Sequence, residues 1–522
     1  MVKKIIVKKL FLFLIFCVVL VSCIETGNGL SRMLPIEIVP TPKSVEAGDN
    51  IFALTNKTFG ITSFDLELMP LLHLFREELM AVSDFNPTAM PNLDDADIVF
   101  KIDDSYAKDE YRVEVAASIL VKAGSYQAAA MARTTLLQLV VSEGESLLFP
   151  QILVHDKPDA KYRGLMVDLA RNWHSIEHVK QLIDFASYYK VNYLQLHFTD
   201  DQSYTLPSLK YPKLSTPERH YSFDDLKELE FYAQIRGVSI VPEIDIPGHA
   251  KSLVTAYPEL FGIAAHEENP YIINMGKEEV YTALDVIFSE IIPIFKSSPY
   301  FHIGGDEARF TKVMQDPSVK SYMKSNELGN TDVHELYRHF LVRVNDMVKK
   351  HGKQTCIWEG FSREGKVKIP TDMIVFEFES LYHLPNELIE DGYTVVNTSW
   401  KPLYVVNEKK WEPKSIYDWN MYRFENWWSR SPATAKPIQL EETQLIIGAQ
   451  MCTWEQAQEV EFKSLRKRLP VMMERIWNTK KNIPYDDFMG LLDSTDAKLS
   501  VLTGNMEQDS LLIGHNHKEP VD

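Results

Sequence analysis

Residues 193–201 read Tyr-Leu-Gln-Leu-His-Phe-Thr-Asp-Asp, a short apolar run that ends in a threonine and two aspartates. An apolar run of this length is typical of a strand that is buried on both faces, as in a parallel sheet. Seven similar runs occur along the chain, and amphipathic helical patterns separate most of them. Eight repeated strand-helix units predict an α/β fold with a (β/α)8 TIM barrel.

The predicted strands are residues 164–169, 193–198, 239–243, 300–303, 355–358, 373–378, 394–397 and 445–451. The predicted helices are residues 176–189, 223–236, 278–295, 333–350 and 462–477. An open, doubly wound sheet is the alternative, but its first turn is usually rich in glycine. Residues 165–175 contain no glycine, which favours the barrel.

A different pattern precedes the barrel. Residues 97–102 and 111–115 alternate between apolar and polar side chains, and residues 125–140 have a helical pattern, which together predict a small α+β domain. We therefore predict five segments, which are a signal peptide at 1–22, a tether at 23–34, the α+β domain at 35–160, the catalytic barrel at 161–480, and a C-terminal helix or tail at 481–522.

The composition is that of a folded globular protein, with 45% hydrophobic and 25% charged residues among 522. The net charge of −18 repels polyphosphate, so nucleic acid is not an expected partner. Cys356 and Cys452 lie in apolar stretches and are predicted to be small core residues, without metal or disulfide chemistry.

The first residues form an export signal. Four lysines within the first nine residues precede an apolar run at 10–21, which is too short to span a membrane comfortably. The run ends at Ser22 and Cys23, and this ending resembles the lipobox of bacterial lipoproteins. The resemblance implies that a lipid on Cys23 holds the mature protein at a membrane of the bacterial cell envelope, on its periplasmic or cell-surface side. An ordinary signal peptide that stops near a cysteine is the alternative.

Polar residues follow four consecutive predicted strands, at the end of a barrel where active sites form. The strongest signal is residues 302–307, His-Ile-Gly-Gly-Asp-Glu, in which two glycines allow a sharp turn at the strand end. Adjacent side chains on an extended chain point in opposite directions. Asp306 and Glu307 are therefore unlike the paired carboxylates that span a glycosidic bond, and we expect them to have different roles.

Four segments, at 163–168, 197–202, 241–250 and 302–307, resemble glycoside hydrolase family 20, the β-N-acetylhexosaminidases. The resemblance extends from about residue 38 to residue 477 and implies exo-acting, retaining, substrate-assisted cleavage through an oxazolinium intermediate, with no cofactor and no metal. It implies that Glu307 is the general acid and base, a role that a raised pKa favours, and that Asp306 orients the 2-acetamido group. Asp200 and His249 match residues that support the acid.

The resemblance also implies a set of substrate contacts. The residues implied to bind the sugar are Asp201, Arg163, Trp358, Trp454 and Gln456, and Tyr404 is implied to hydrogen-bond the acetamido oxygen. Gln456 stands where relatives have a glutamate, and Val406 where they have an acidic or amide residue. Because an amide does not repel an anion, a 6-sulfated N-acetylhexosamine joins GlcNAc and GalNAc as a hypothetical terminal sugar. The aromatic-rich segment 411–428 shapes a further subsite or only packs over the barrel mouth.

Two other readings remain open at this point. His197, Asp200, His249, His302 and Asp306 are residue types that bind zinc, so a metal-dependent barrel hydrolase is one alternative. A surface lipoprotein that captures glycans without cleaving them is the other. The sequence does not decide the linkage, the natural glycan or the oligomeric state.

Overall fold

The computed structural model describes residues 33–55, 59–83, 88–89, 96–329, 331–407, 409–480 and 483–503. The predicted signal peptide, Cys23 and most of the predicted tether lie outside these residues, as does the chain beyond residue 503.

The first part of the chain forms a mixed sheet with helices packed on it. Its strands are β1 (Ser44–Leu54), β2 (Gly60–Ser63), β3 (Thr88–Ala89), β4 (Ile98–Ile102), β5 (Tyr111–Val115), β6 (Ile119–Ala123), β7 (Val141–Glu143) and β8 (Ser146–Asp156). They are arranged in the order β1-β8-β5-β6-β4-β2-β3, with β7 paired to β8. Alternate residues of β5 and β6 are buried, as a sheet with one covered face requires.

The second part is a closed parallel barrel. Its eight strands are β9 (Tyr162–Asp168), β10 (Tyr193–His197), β11 (Ser239–Glu243), β12 (Tyr300–His302), β13 (Gln354–Trp358), β14 (Ile374–Glu377), β15 (Thr394–Asn397) and β20 (Ile446–Thr453). Each strand pairs in parallel with the next, and β20 pairs with β9 to close the ring. The predicted TIM barrel, preceded by a small α+β domain, is confirmed.

Four short strands lie between β15 and β20. They are β16 (Tyr404–Val406), β17 (Lys409–Lys410), β18 (Arg423–Phe424) and β19 (Ile438–Gln439). β16 pairs in parallel with the end of β20 and antiparallel with β17, so this hairpin extends the barrel wall beyond the carboxyl end of β20.

The helices in the described residues are α1 (Met69–Ala81), α2 (Tyr126–Leu139), α3 (Ile176–Tyr188), α4 (Phe223–Gln234), α5 (Lys251–Ala256), α6 (Pro258–Phe261), α7 (Glu278–Ile291), α8 (Pro317–Ser325), α9 (Val333–Lys350), α10 (Pro385–Glu390), α11 (Trp400–Leu403), α12 (Pro413–Tyr417), α13 (Pro432–Ala435), α14 (Gln458–Leu465), α15 (Leu469–Trp477) and α16 (Tyr485–Thr503). Single 3-10 turns occur at Leu66–Leu68 and Val313–Gln315. None of the described helices combines the length and apolarity that a membrane span needs.

Local sequence explains where these helices begin. The Ser175 hydroxyl accepts a hydrogen bond from the backbone N–H of His178 at the start of α3, and Ser222 forms a capping box with Asp225 at the start of α4. The predicted helix at 462–477 is instead two helices, because Pro470 lacks the N–H that a continuous helix requires.

Buried polar contacts join the two parts of the chain. The Trp477 indole N–H, on α15 of the barrel, donates to Asp156 at the end of β8 over 2.9 Å. The buried Lys190 ammonium lies 3.6 Å from the Asp156 carboxylate and donates to the Tyr111 hydroxyl over 2.9 Å. The small domain therefore contributes the counterion of a buried barrel lysine.

Candidate active site

The carboxyl ends of the first four barrel strands bring polar side chains into register. Asp168, His197, Glu243 and His302 are successive partners at the ends of β9, β10, β11 and β12. Glu243 is central, since its carboxylate lies 2.9 Å from His197 Nδ1 and 3.3 Å from His302 Nδ1. It also accepts a 2.6 Å hydrogen bond from the Trp358 indole N–H. These contacts form a buried polar layer beneath the site, centred on the Glu243 carboxylate.

A second layer lies at the mouth of the barrel. The Asp200 carboxylate lies 2.7 Å from Arg171 Nη2 and 3.4 Å from His249 Nδ1. The other ring nitrogen, His249 Nε2, lies 3.3 Å from the Glu307 carboxylate and 3.8 Å from that of Asp306. A continuous path of ionisable groups therefore runs from Asp200 through His249 to Glu307.

The turn after β12 requires its glycines. Gly304 has φ of +67°, and a Cβ atom there would lie 1.7 Å from the Asp245 carboxylate. The same turn gives Glu307 a positive φ of 44°, an uncommon conformation for a residue with a side chain. In this conformation the Glu307 carboxylate lies next to His249, and about half of the Glu307 side chain remains exposed to solvent.

Charges around His249 and Glu307 set their protonation. Burial alone lowers the pKa of His249, but the carboxylates of Asp200 and Asp245 outweigh burial and raise the pKa well above its usual value. Burial raises the pKa of Glu307, but the hydrogen bond from His249 outweighs it and holds the pKa below the usual value. In the free site the shared proton therefore resides on His249, and Glu307 is ionised.

Asp306 and Asp245 are a coupled pair of carboxyls. Burial, and then the charge of Asp306, raises the pKa of Asp245 well above its usual range. Burial and the neighbouring charges of Glu307 and Glu243 also raise the pKa of Asp306. Two buried carboxyls this close do not ionise together readily, so the pair shares a proton up to a higher pH than an isolated carboxyl would hold one. The buried Oδ1 of Asp306 has no hydrogen-bond partner within the described part of the chain, so it is an acceptor available to a ligand.

These groups open onto a cavity of about 180 Å³. It is lined by Arg171, His249, Asp306, Glu307, Phe378, Trp400, Tyr404, Val406, Lys409, Trp411, Trp427, Trp454 and Glu455. The lining combines carboxylates with aromatic rings, which suits a ligand that has both polar groups and an apolar face.

Five of the predicted site residues line this cavity together. Asp306, Glu307, His249 and Tyr404 meet there, as does Trp454, whose ring centroid lies 6.1 Å from that of Tyr404. Burial raises the pKa of the Tyr404 phenol well above its usual value, so the hydroxyl remains a hydrogen-bond donor. Asp200 lies behind His249, as a supporting residue should.

The prediction that Arg163 binds the sugar is wrong. Arg163 lies at the amino-terminal end of β9, and its buried guanidinium donates to the backbone carbonyls of Ala160 and Lys190 over 2.9 and 3.1 Å. It also lies over the Trp477 ring at 5.3 Å from the centroid. The arginine of the cavity is Arg171, eight positions later, which follows the carboxyl end of the same strand.

Gln456 is also placed wrongly by the prediction. Its side chain is buried and donates to the Asn407 side-chain oxygen over 3.0 Å, away from the cavity. The preceding residue, Glu455, has a positive φ of 57° and lines the cavity instead. A carboxylate is therefore present at this wall, and the predicted replacement of that carboxylate by an amide is wrong.

Trp358 and Asp201 lie close to the site without lining the cavity. Trp358 is fully buried and packs behind Trp454, with 5.8 Å between ring centroids. Asp201 accepts a hydrogen bond from the backbone N–H of Lys251 over 3.1 Å, at the start of α5. The predicted direct contacts of Trp358 and Asp201 with the sugar are therefore replaced by supporting positions.

The cavity has walls that the sequence reasoning did not assign. Trp400 and Trp427 stack at 5.4 Å with 20° between ring planes, and Trp411 donates its indole N–H to the Trp400 carbonyl. Two of these rings come from the aromatic-rich segment 411–428, so that segment reaches the cavity wall. The position of Arg171, one of the polar residues at a strand end, was the signal that pointed to its role.

Several groups of His, Asp and Glu side chains are close enough to share a metal ion. Three groups belong to this site, and a fourth is His174, His178 and Glu461. Within the site, His197 lies between Glu243 and Asp200, and His249 between Asp200 and Glu307. The imidazoles therefore already have carboxylate partners, an arrangement that suits proton sharing.

Two protein-family models match the chain. The model described as "Glycosyl hydrolase family 20, catalytic domain" matches residues 161–480, and that described as "Glycosyl hydrolase family 20, domain 2" matches residues 35–157. A beta-hexosaminidase of Vibrio furnissii is 28% identical over 458 residues, which are 80% of this chain and 72% of the relative. One of Porphyromonas gingivalis is 28% identical over 374 residues, which are 65% of this chain and 47% of that protein.

Solved structures share the fold. An exo β-N-acetylglucosaminidase of Vibrio harveyi, in complex with N-acetylglucosamine, superposes with a TM-score of 0.78 at 24% identity and covers 93% of this chain and 80% of that one. A β-N-acetylhexosaminidase of Bacteroides fragilis superposes with a TM-score of 0.76 at 24% identity and covers 90% of this chain and 96% of that one.

Proposed function

The chain belongs to glycosyl hydrolase family 20, and on that premise we propose that it is an exo-acting, retaining β-N-acetylhexosaminidase. Its substrates are glycans that end in a β-linked N-acetylhexosamine. The observation that carries the proposal is the pairing of Glu307, held by His249, with the unpartnered Oδ1 of Asp306 in one aromatic-walled cavity. These are the two different carboxyl roles that substrate-assisted cleavage needs.

In the first step, the Glu307 carboxyl gives its proton to the glycosidic oxygen as the bond from that oxygen to C1 breaks. The carbonyl oxygen of the substrate's own 2-acetamido group bonds to C1 and forms an oxazolinium ion. In the second step, the Glu307 carboxylate takes a proton from water while the water oxygen bonds to C1 and the oxazolinium ring opens. Two inversions at C1 leave the product with the original β configuration.

Asp306 and Tyr404 hold the acetamido group during these steps. The unpartnered Asp306 Oδ1 accepts the hydrogen bond from the acetamido N–H and stabilises the positive charge that develops on the oxazolinium ring. The Tyr404 hydroxyl donates to the acetamido oxygen. The Trp400 and Trp454 rings exclude water from the intermediate.

His249 supplies the proton that Glu307 needs. In the free site the proton resides on His249, which lies 3.3 Å from the Glu307 carboxylate. A bound sugar covers the exposed half of the Glu307 side chain and removes the water that stabilises its charge. The proton then moves from His249 to Glu307, where the acid step uses it.

The size of the cavity supports exo action. About 180 Å³ is less than the roughly 300–1,000 Å³ of sites that take drug-sized ligands, so it suits one sugar ring and not a chain. The choice between GlcNAc and GalNAc depends on the hydroxyl at C4, and Arg171 and Glu455, 3.8 Å apart at the wall, are the polar groups placed to read ring hydroxyls.

The test is hydrolysis of aryl β-glycosides of GlcNAc, GalNAc and glucose by the wild type and Glu307→Gln. Glu145→Gln, at an exposed site of the small domain, is the matched control. We expect cleavage of the acetamido sugars only, a loss of at least a hundredfold in Glu307→Gln, and no change in Glu145→Gln. Binding of GlcNAc without turnover would favour the glycan-capturing alternative, and loss of activity on chelation would favour the metal-dependent one.

We propose further that the enzyme is a lipoprotein of the bacterial cell envelope. The support is the sequence alone, in which the lysine-rich start and apolar run end at Ser22 and Cys23. A thioether-linked lipid on Cys23 then holds the enzyme on the periplasmic or cell-surface side of a membrane. Expression in a bacterial host should place the protein in the membrane fraction, and Cys23→Ser should lose lipid labelling and leave that fraction.

A further inference from the structure

Lys409 lies in the wall of the same cavity. It belongs to β17 and pairs with Val406 of β16, two residues after Tyr404. Its ammonium lies 4.4 Å from the ring centroids of both Trp411 and Trp427. The hairpin therefore places this lysine at the edge of the site, between two indoles of the aromatic-rich segment 411–428.

Lys409 differs from the other cations of the cavity in its surroundings. Arg171 lies against the carboxylates of Asp168 and Asp200, and His249 lies against Asp200 and Glu307. Among the residues that the structure describes, none pairs a carboxylate with the Lys409 ammonium. Indole faces attract a cation but offer it no hydrogen-bond acceptor, so its N–H donors remain available.

The neighbouring lysine shows the contrast. Lys401 lies 5.7 Å from the Trp411 centroid, yet its ammonium forms a 3.2 Å ion pair with Glu425 and does not line the cavity. The charge of Lys401 is thus balanced by Glu425, whereas no carboxylate among the described residues balances that of Lys409. Burial, and then the charge of Lys401, lowers the pKa of Lys409 to about 8.

The barrel geometry places Lys409 across the cavity from the proposed reacting groups. Asp306 and Glu307 follow β12, which is the fourth strand of the ring, and the β16–β17 hairpin extends from the eighth, β20. In an eight-stranded ring these positions are opposite. A sugar bound between them has Lys409 beside a substituent and not beside the bond that breaks.

We propose that Lys409 binds an anionic substituent of the glycan, either a sulfate ester or a carboxylate, and makes the enzyme prefer negatively charged substrates. The inference rests on the proposed function of the same site. It is independent of Gln456, which faces away. The protein's net charge of −18 repels such substrates at long range, so a local cation is what their recognition requires.

The test compares matched pairs of substrates. One pair is 4-nitrophenyl β-GlcNAc and its 6-sulfate, and the other is GlcNAc β-linked to glucose and to glucuronic acid. The first pair reports a sulfate on the terminal sugar and the second a carboxylate on the adjoining one. We expect kcat/KM to favour the charged member of at least one pair, and Lys409→Met to lower that ratio about tenfold.

Two variants separate charge from packing. Lys409→Arg keeps the cation and should keep the ratio within about threefold, and Lys401→Met removes a lysine that Glu425 already neutralises and should do the same. A ratio that is unchanged in folded Lys409→Met, or no charge preference in either pair, overturns the inference. Failure to hydrolyse even the neutral glycosides is instead a failure of the proposed function.

Binding tests the inference even without turnover. Tryptophan fluorescence of the wild type should report tighter binding of GlcNAc 6-sulfate than of GlcNAc, or of glucuronate than of glucose. Loss of this difference in Lys409→Met would support the inference. Equal affinities for the charged and neutral sugars in the wild type would overturn it. Because the pKa of Lys409 is about 8, the preference should decline as pH rises through that value. The other charged groups that line this cavity are Arg171, His249, Asp306, Glu307 and Glu455, and the Lys401–Glu425 ion pair lies nearby, outside the lining.

Discussion

His249→Gln should move the alkaline limit of activity to lower pH. In the wild type, His249 and Glu307 share one proton, and Asp200 and Asp245 raise the pKa of His249 well above its usual value. The pair therefore keeps its proton as pH rises through the ordinary histidine range. The pH profile of kcat/KM, which reports ionisations of the free enzyme, should be flat there and fall only at higher pH.

The size of the shift follows from which group is left to ionise. Without His249, the acid form depends on the Glu307 carboxyl alone. Ordinary pKa values are about 6.5 for histidine and about 4.3 for glutamate, a difference of about two units. In the variant, burial raises the pKa of the unpaired Glu307, which makes the difference between the two proteins smaller. In the wild type, the raised pKa of His249 makes that difference larger. We expect the alkaline limb to move down by about two pH units.

The assay is initial-rate hydrolysis of 4-nitrophenyl β-GlcNAc from pH 4 to pH 10, stopped in base. His220→Gln, at an exposed histidine of the barrel, is the control and should keep the wild-type profile. An alkaline limb in His249→Gln that coincides with the wild type, at any level of activity, would show that His249 does not hold the proton that Glu307 uses.

Three further predictions test other contacts. Arg171→Met should lower kcat/KM at least a hundredfold because Asp168 and Asp200 lose their ion-pair partner. Arg163→Met should change kcat/KM less than threefold, since Arg163 lies at the other end of the strand. The same rate assay compares the two variants, and a larger loss in Arg163→Met would show that Arg163 belongs to the site. Gly304→Ala should lower the free energy of unfolding by more than about 2 kcal/mol, measured in urea, since a left-handed backbone alone costs about 1–2 kcal/mol and the Cβ meets Asp245. Burial alone would raise the pKa of Glu461, but the pairing with His174 outweighs burial and lowers that pKa to about 2. The ion pair therefore stabilises the fold above pH 4.5, and this stabilisation is lost as pH falls toward 2. In urea unfolding at several pH values, Glu461→Gln should show a smaller loss of unfolding free energy over this range than the wild type.

The barrel could be predicted because its signals are local. Each strand is a short apolar run, and each begins and ends within a few residues of its predicted bounds, as at Tyr193–His197 and Ser239–Glu243. The division of residues 462–477 into two helices was missed, although Pro470 was a visible sign of it. Apolar periodicity does not report a missing backbone donor.

The site could be predicted only where the motif fixes the direction of a side chain. Arg163 lies at the amino-terminal end of β9, and Arg171 follows its carboxyl end. A strand of seven residues spans about 20 Å, so the two arginines lie at opposite ends of the barrel and only one of them can reach the cavity. Glu455 and Gln456 exchanged roles because Glu455 adopts a positive φ, which no residue type required. Trp427 and Lys409 meet only through tertiary packing of an insert.

The buried contacts between the small domain and the barrel have a consequence for dissecting the enzyme. A fragment that begins at the barrel would leave the Lys190 ammonium in an apolar setting without Asp156, and the Trp477 indole N–H without its acceptor. Each loss leaves a polar group without its hydrogen-bond or ion-pair partner, which costs about 1–3 kcal/mol, and more for a charged group. We therefore expect the two parts to unfold as one cooperative unit, so a swap of catalytic barrels among relatives should include the small domain.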